Sequence, residues 1–224
     1  MKKINIAIDG PSAAGKGTIA DNLAEKLGYI HLDTGAMYRC VALACIRENV
    51  PLKDEDKVME VIKEVEIDQT ADGRSFLDGE DVSDEIRLPE VSKGASDVST
   101  LRAVRNDLVR RQKHMAKRKG FILDGRDIGT VVLKNAELKI YLTASVEVRA
   151  MRRYKQNLEK GIECDYEEIA RQISERDYQD IHRKESPLMK AEDAVEVDTS
   201  DLSIEEVTGK VYELAMERIA GVNE

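Results

Sequence analysis

The 224-residue sequence holds only 14 glycines and 4 prolines, which excludes a collagen-like or Pro-rich chain. Its longest unbroken apolar run, Cys40 to Ile46, is seven residues. A membrane-spanning helix needs roughly 20, so no membrane partner is expected. The N-terminal stretch MKKINIAIDG meets Asp9 too early for the apolar region of a secretory signal, and the chain is expected in the cytoplasm. Cysteine is scarce as well: Cys40, Cys45 and Cys164 show no CxxC spacing, and His31, His114 and His182 are scattered. That leaves no material for a zinc site or a disulfide framework, and fits free thiols in a reducing compartment. No internal repeat, low-complexity tract or Ser/Gly linker interrupts the chain. The length suits one globular domain with a sizeable insertion.

Positive charge is the minority: 35 Lys and Arg stand against 44 Asp and Glu, a net charge of −9. That sum argues against nucleic acid as a partner. The distribution is uneven. Residues 53–90 hold 14 acidic and 5 basic side chains, whereas the remaining 186 residues hold 30 of each. The acidity thus belongs to one segment, and the rest of the chain is free to build a cationic pocket. The stretch from Arg102 to Lys119 carries 8 basic residues and one acidic residue, Asp107. It lacks the interleaved aromatics of a single-strand binder and reads as a solvated helix face.

The hydrophobic pattern alternates strands with helices. Ile4 to Asp9 is an apolar run ending in Asp-Gly-Pro, as in a buried parallel strand. Thr18 to Leu27 puts Ile19, Leu23, Ala24 and Leu27 on one helical face, with Gly28 as its stop. Tyr29 to Leu32 reads as a strand and Gly35 to Glu48 as a helix. The Asp78-Gly79 pair within residues 76–82 signals a two-residue hairpin. A helix from Leu101 to Lys119 is followed by strands at Phe121 to Asp124 and Leu138 to Thr143. A helix through Val148, Met151, Tyr154 and Leu158 comes next. Asp165 with Glu168, and Ser203 with Glu206, read as capping boxes of two further helices that flank a last strand, Ala194 to Asp198. This rhythm predicts an α/β fold, a parallel sheet flanked by helices, with the acidic, hairpin-bearing segment as an insertion.

The strongest chemical signal lies between the first strand and the first helix: Gly10, Pro11, Ser12, Ala13, Ala14, Gly15, Lys16, Gly17 and Thr18. Glycines let backbone N–H groups curl around phosphate oxygens. The helix N-terminus adds partial positive charge, and Lys16 reaches the β- and γ-phosphates. Gly17 stands where the general pattern has the Ser or Thr that binds Mg²⁺, and Thr18 comes one place later. Direct protein ligation of a metal is therefore not expected. A phosphate loop alone does not separate a GTPase from a kinase or a motor. Neither the DxxG nor the NKxD pattern of GTPases occurs, and 224 residues are too few for a large motor.

Phosphoryl transfer between two anions asks the protein for positive charge and in-line positioning. Candidate cations recur after strand ends, where ligands of open parallel sheets bind. They are Arg39 in DTGAMYR, Arg126 in DGRD, Arg152 and Arg153 after the fourth strand, and Arg176 and Arg183 in ERDYQDIHR, which also holds Asp180. Asp33 and Asp124 read equally as site carboxylates or as helix caps and turn formers. Tyr38 sits beside Arg39, at the mouth of the expected pocket.

The segments IDGPSAAGKGT, LDTGAMYR, GASDVSTLRAVR, LDGRDIGT and ERDYQDIHR occur in that order. Together they closely resemble the bacterial cytidylate kinases, a branch of the P-loop nucleoside monophosphate kinases, over essentially the whole chain. In that family a glycine after the loop lysine is normal. The resemblance implies ATP and CMP or dCMP as substrates and Mg²⁺ carried by ATP; separately, no long apolar patch in the sequence announces a dimer, so a monomer is expected. It implies a core at 1–33, 106–155 and 186–224, a monophosphate-binding domain at 34–105 and a mobile lid at 156–185. By the same resemblance Lys16, Arg126, Arg153 and Arg183 serve the transferring phosphate. Arg39, Arg126 and Arg183, with Thr34 beside them, meet the acceptor phosphate. Ser96, Arg105 and Asp127 read the cytosine ring, and Tyr38, Arg176 and Asp180 lie around the ribose and the lid hinge.

Overall fold

The computed structural model describes residues 2–70, 72–159 and 161–223. In chain order its elements are β1 (Ile6–Asp9), α1 (Lys16–Leu27), β2 (Ile30–Asp33), α2 (Thr34–Arg47), α3 (Glu55–Glu64), β3 (Ile67–Gln69), β4 (Ser75–Leu77) and β5 (Glu80–Asp81). Then follow α4 (Pro89–Val98), α5 (Arg102–Met115), β6 (Phe121–Gly125), β7 (Leu138–Thr143), α6 (Val146–Glu159), α7 (Tyr166–His182), β8 (Val195–Asp198) and α8 (Ile204–Asn223). The chain divides into two compact units, Met1–Tyr29 with Lys119–Glu224, and Ile30–Arg118.

In the first unit the strands lie in the order β6-β1-β7-β8, all parallel, with Ile6 opposite both Ile122 and Leu138. Every residue of β1 is buried, which is why that strand reads as a continuous apolar run rather than an alternating one. Ile19 and Leu23 of α1 join Ile8, Ile140, Val197 and Val211 in one core, which binds α1 and α8 to the sheet. Helix α8 opens with the full reciprocal box: the Ser203 N–H donates to Glu206 Oε2 and the Glu206 N–H to Ser203 Oγ. At α7 only half of the box forms. Asp165 accepts the Glu168 N–H at 2.8 Å, while the Glu168 carboxylate turns to Arg171 and Gln172. The turn after β1 demands glycine: a Cβ at Gly10 would lie 2.1 Å from the Leu142 carbonyl oxygen. That close approach seats the phosphate loop against β7.

The second unit packs α2 against α4. A Cβ at Gly94 would lie 2.9 Å from Leu52 Cδ1 and 3.2 Å from Ala42 Cβ, so a bare backbone sets this spacing. The hairpin at Asp78-Gly79 is present, with φ of +52° and +79°, the signs that a type I′ turn needs. The acidic segment holds more than the hairpin. It also forms α3 and a third antiparallel strand, β3, giving the order β3-β4-β5, and it ends in the start of α4. The reason lies in a narrow stripe: Val58, Val61 and Ile62 bury one face of α3 while its remaining positions, Met59 excepted, are charged. Arg47 absorbs part of the local negative charge through Glu80 and Glu85. Helix α5 stops sooner than its basic pattern suggests. A 3₁₀ turn at Ala116–Arg118 and a positive φ at Lys119 and Gly120 end it. Among the described residues no helix is long and apolar enough to cross a membrane.

Candidate active site

The phosphate loop joins β1 to α1 as expected. Gly15, at φ +90°, precedes α1, and among the described residues no side chain caps the first turn of that helix. Its leading N–H groups are thereby left for an anion. Lys16 is buried, and its Nζ folds back to donate to the Pro11 carbonyl at 2.7 Å. Burial, helped by the Arg126 guanidinium, pulls the Lys16 ammonium down to about 7 against the opposing pull of Asp124, Asp180 and Asp9. A buried ammonium held this low is short of negative charge, which a phosphate supplies.

Asp9, at the end of β1, accepts the Ile128 N–H at 2.8 Å and the Gly129 N–H at 2.7 Å. Burial raises its carboxyl to about 6 although both N–H groups favour the anion. These two bonds tie the loop after β6, which carries Arg126 and Asp127, to the strand that launches the phosphate loop. Asp180 on α7 gathers three arginines of this unit. It accepts Arg126 Nε at 2.7 Å, lies 3.7 Å from Arg183 NH1, and feels Arg176. Burial works against its charge, but these cations hold its carboxyl below the usual range. Arg183 also lies 3.6 Å from Asp127 and donates to the Ser186 carbonyl. Lys16, Arg126, Asp127, Arg176, Asp180 and Arg183 are thus joined in one charged cluster. Arg153 stands apart: it is exposed on α6 and donates to Gln156.

The second unit holds the other group of residues. Asp33 is a helix cap, and it has a second role as well. It caps α2 by accepting the Ala36 N–H at 2.8 Å, and it pairs with Arg39 NH2 at 2.6 Å. Burial pushes its carboxyl up, but Arg39, the Ala36 N–H and His31 hold it at about 2. Arg39 Nε is buried with no hydrogen-bond partner among the described residues, a donor left over for a ligand. Thr34 is buried at the first position of α2. Tyr38 faces Arg105, whose guanidinium carbon lies 5.6 Å from the ring centroid. Arg105 is buried and donates to the Ser99 carbonyl, and Ser96 sits on α4 one turn from Ser92, whose carbonyl its hydroxyl reaches.

Two features were not read from the sequence. Gln69 clamps the Asp33 backbone, accepting its N–H at 3.0 Å and donating to its carbonyl at 2.7 Å. The link spans 36 residues and leaves no local mark. Arg149 on α6 is buried, whereas Arg152 and Arg153 drew notice. A usable signal existed, since Arg149 neighbours Ala150 on the apolar face of that helix.

The family model for cytidylate kinase matches residues 6–217. A cytidylate kinase of Caldicellulosiruptor bescii is 54% identical over 96% of this chain and 96% of its own length. A cytidylate kinase of Bacillus subtilis is 50% identical over 95% and 96%. Among solved structures, an uncharacterized protein from Eubacterium ventriosum matches the fold alone, with a TM-score of 0.54 at 12% identity over 96% of this chain and 99% of that one. With a family match spanning nearly every element described above and relatives at half identity or better, the chain belongs to the cytidylate kinase family.

Proposed function

We propose that the chain is a (d)CMP kinase that transfers the γ-phosphoryl group of ATP to CMP or dCMP, giving ADP and CDP or dCDP. The observation that carries phosphoryl transfer is the buried Lys16, short of negative charge, beneath an uncapped helix N-terminus. The names of the half-identical relatives support cytidylate as the acceptor. In this reading the loop from Gly10 to Thr18 cradles the ATP phosphates, and Lys16 neutralises charge as it shifts toward the leaving β-phosphate. Arg126 and Arg183 steady the transferring group, with Arg153 brought in by lid closure. Arg39, with its unused Nε, holds the acceptor phosphate beside Thr34. Ser96, Arg105 and Asp127 read cytosine, where a carboxylate accepts from the N4 amino group. Tyr38, Arg176 and Asp180 position the ribose and the base of the lid. The acceptor is already an anion at neutral pH, so a general base has little to do.

Residues 34–105 act as the monophosphate-binding domain and 156–185 as a lid that excludes water from the donor phosphates, the remainder being the core. The residues fit Mg²⁺ carried by ATP: Gly17 offers no hydroxyl, and the carboxylates whose charge acts on Lys16, Asp124 first among them, would meet the ion through its bound waters. Bound there with the ATP phosphates, the ion would supply charge neutralisation. The protein works as a cytoplasmic monomer without nucleic acid or membrane. A coupled assay of ADP release across CMP, dCMP, UMP, AMP and GMP tests the reading. CMP and dCMP should drive turnover, with AMP and GMP poor. Equal turnover with AMP removes the cytidylate assignment, and RNA capture at physiological salt with no acceptor-dependent turnover removes the kinase reading as well.

A further inference from the structure

Two charged side chains that the proposed reaction does not use converge on one residue of the phosphate loop. Arg149 of α6 donates through NH1 to the Ser12 carbonyl at 2.9 Å and to Asp177 Oδ2 at 2.6 Å. Its Nε donates to the Ala144 carbonyl at 2.9 Å. Asp177 of α7 uses its other oxygen, Oδ1, to accept the Ser12 N–H at 3.2 Å. Both residues are more than nine-tenths buried. The N–H and the carbonyl of a single loop residue are therefore each held by one member of a buried ion pair, and the two members hold each other. Burying such a pair gives little stability by itself, because desolvation offsets the attraction. What it fixes is geometry.

The next residue shows why geometry matters. Ala13 has φ +59°, a left-handed conformation that L-residues other than Gly, Asn and Asp rarely hold unless their surroundings force it. Its side chain packs on Ala150, Ile169 and Ile173, so α6 and α7 grip the loop tip by an apolar contact as well as by the clamp on Ser12. We propose that Arg149 and Asp177 are positioning residues that hold the phosphate loop in its ATP-binding shape through the backbone of Ser12. Neither needs to touch the nucleotide. Their partners are backbone groups of the loop, and the pair leaves the N–H groups at the start of α1 free. By the same contacts the roots of α6 and α7 are fastened to the loop. The inference rests on the loop being the ATP site, as proposed above.

The test is direct titration of ATP without acceptor, with CMP affinity measured separately, in wild type, Asp177→Asn, Arg149→Lys and the double variant. Asn keeps the size and one acceptor oxygen; Lys keeps the charge but loses the planar fork. Each single variant should weaken ATP binding about tenfold, the loss of a charge-assisted hydrogen bond, with CMP affinity within about twofold. The double variant should be little worse than either single one, because the two act as a unit. Unchanged ATP affinity in folded variants overturns the proposal, as does an equal loss of CMP affinity. Should the variants not fold, hydrogen exchange in the wild-type, nucleotide-free protein decides. The Ser12 amide should be protected, and exchange at the rate of an open loop refutes the clamp. Failure of the wild type to bind ATP at all sinks instead the reading of the loop.

Discussion

Lys16 and Arg39 both lie in the first two turns of a helix that follows a strand, yet they are provided for in opposite ways. Among the described residues Lys16 finds only a carbonyl oxygen for a direct partner, and burial pulls its ammonium down to about 7. Arg39 has its own carboxylate, Asp33, at 2.6 Å, and that carboxyl stays at about 2. The first junction is electrostatically incomplete until an anion arrives. The second is already neutral as a pair and offers a ligand one spare N–H. A tightly held polyphosphate suits the first arrangement. A singly attached phosphate that must come and go suits the second, because a partner charge already in place limits how strongly it is bound.

Breaking the first junction should have the largest effect. Lys16→Ala is expected to lower kcat by about 10²–10³-fold, the usual loss of one preorganised charge contact, with far-UV circular dichroism unchanged. A folded variant of undiminished rate would remove Lys16 from the chemistry. Breaking the second should read out differently. Arg39→Ala should raise KM for CMP by roughly 10–100-fold, since a hydrogen-bonded charge is lost, and leave ATP affinity where it was. A parallel loss of ATP affinity contradicts the separate roles of the two junctions.

Asp127→Ala sharpens the contrast between holding phosphate and reading the base. It should cut kcat/KM for CMP and narrow the CMP-to-UMP preference by about ten- to a hundredfold. Uracil presents an acceptor where cytosine presents an amino donor, so the carboxylate penalises only uracil. The competing role is visible in the fold, where Asp127 lies 3.6 Å from Arg183. If Asp127 merely orients that arginine, both substrates lose activity in the same proportion.

The depressed Lys16 predicts a proton linkage that Arg39 should not show. At pH 8 most Lys16 side chains in the free protein are neutral, because their midpoint is about 7. Phosphate oxygens raise that midpoint, so ATP binding at pH 8 should take up close to one proton. Affinity should fall as pH rises above about 7, approaching tenfold per pH unit. At pH 6 Lys16 is already charged and its share of the uptake vanishes. Asp9 is ionised at pH 8, given its midpoint near 6, and adds nothing there. Calorimetry in buffers of different ionisation enthalpy reads the proton count, and Lys16→Arg should abolish it. The smallest effect belongs away from both junctions. Gly79→Ala, at φ +79° in the hairpin, should destabilise the protein by roughly 1–2 kcal/mol in denaturant melts and leave ATP affinity unmoved.

What was legible in the sequence had a local cause. The run from Ile6 to Ile8 is apolar because each residue is buried in the sheet, and Asp78-Gly79 marks its turn because both positions need positive φ. The phosphate loop is legible because Gly10 tolerates no Cβ beside Leu142. Helix α3 was missed because its apolar stripe is only three residues wide within a charged segment. The half-formed box at α7 shows the limit of motif reading. Glu168 has the right spacing, yet a nearby Arg171 draws its carboxylate away. Among the site residues, spacing alone ranks Arg153 with Arg126 and Arg183, whereas in the fold Asp180 joins the latter two and Arg153 faces solvent.

By itself the sequence determined the alternation of strands and helices, the place of the phosphate loop and the identity of its lysine. Periodicity, caps and glycine requirements act over a few residues and leave a pattern there. Only the tertiary structure decided that Lys16 is buried enough to lose much of its hold on a proton, that Gln69 fixes Asp33, and that Arg149 finds Asp177 28 residues away. Those outcomes depend on desolvation and on contacts between distant segments, and neither is written into the spacing of residues along a chain.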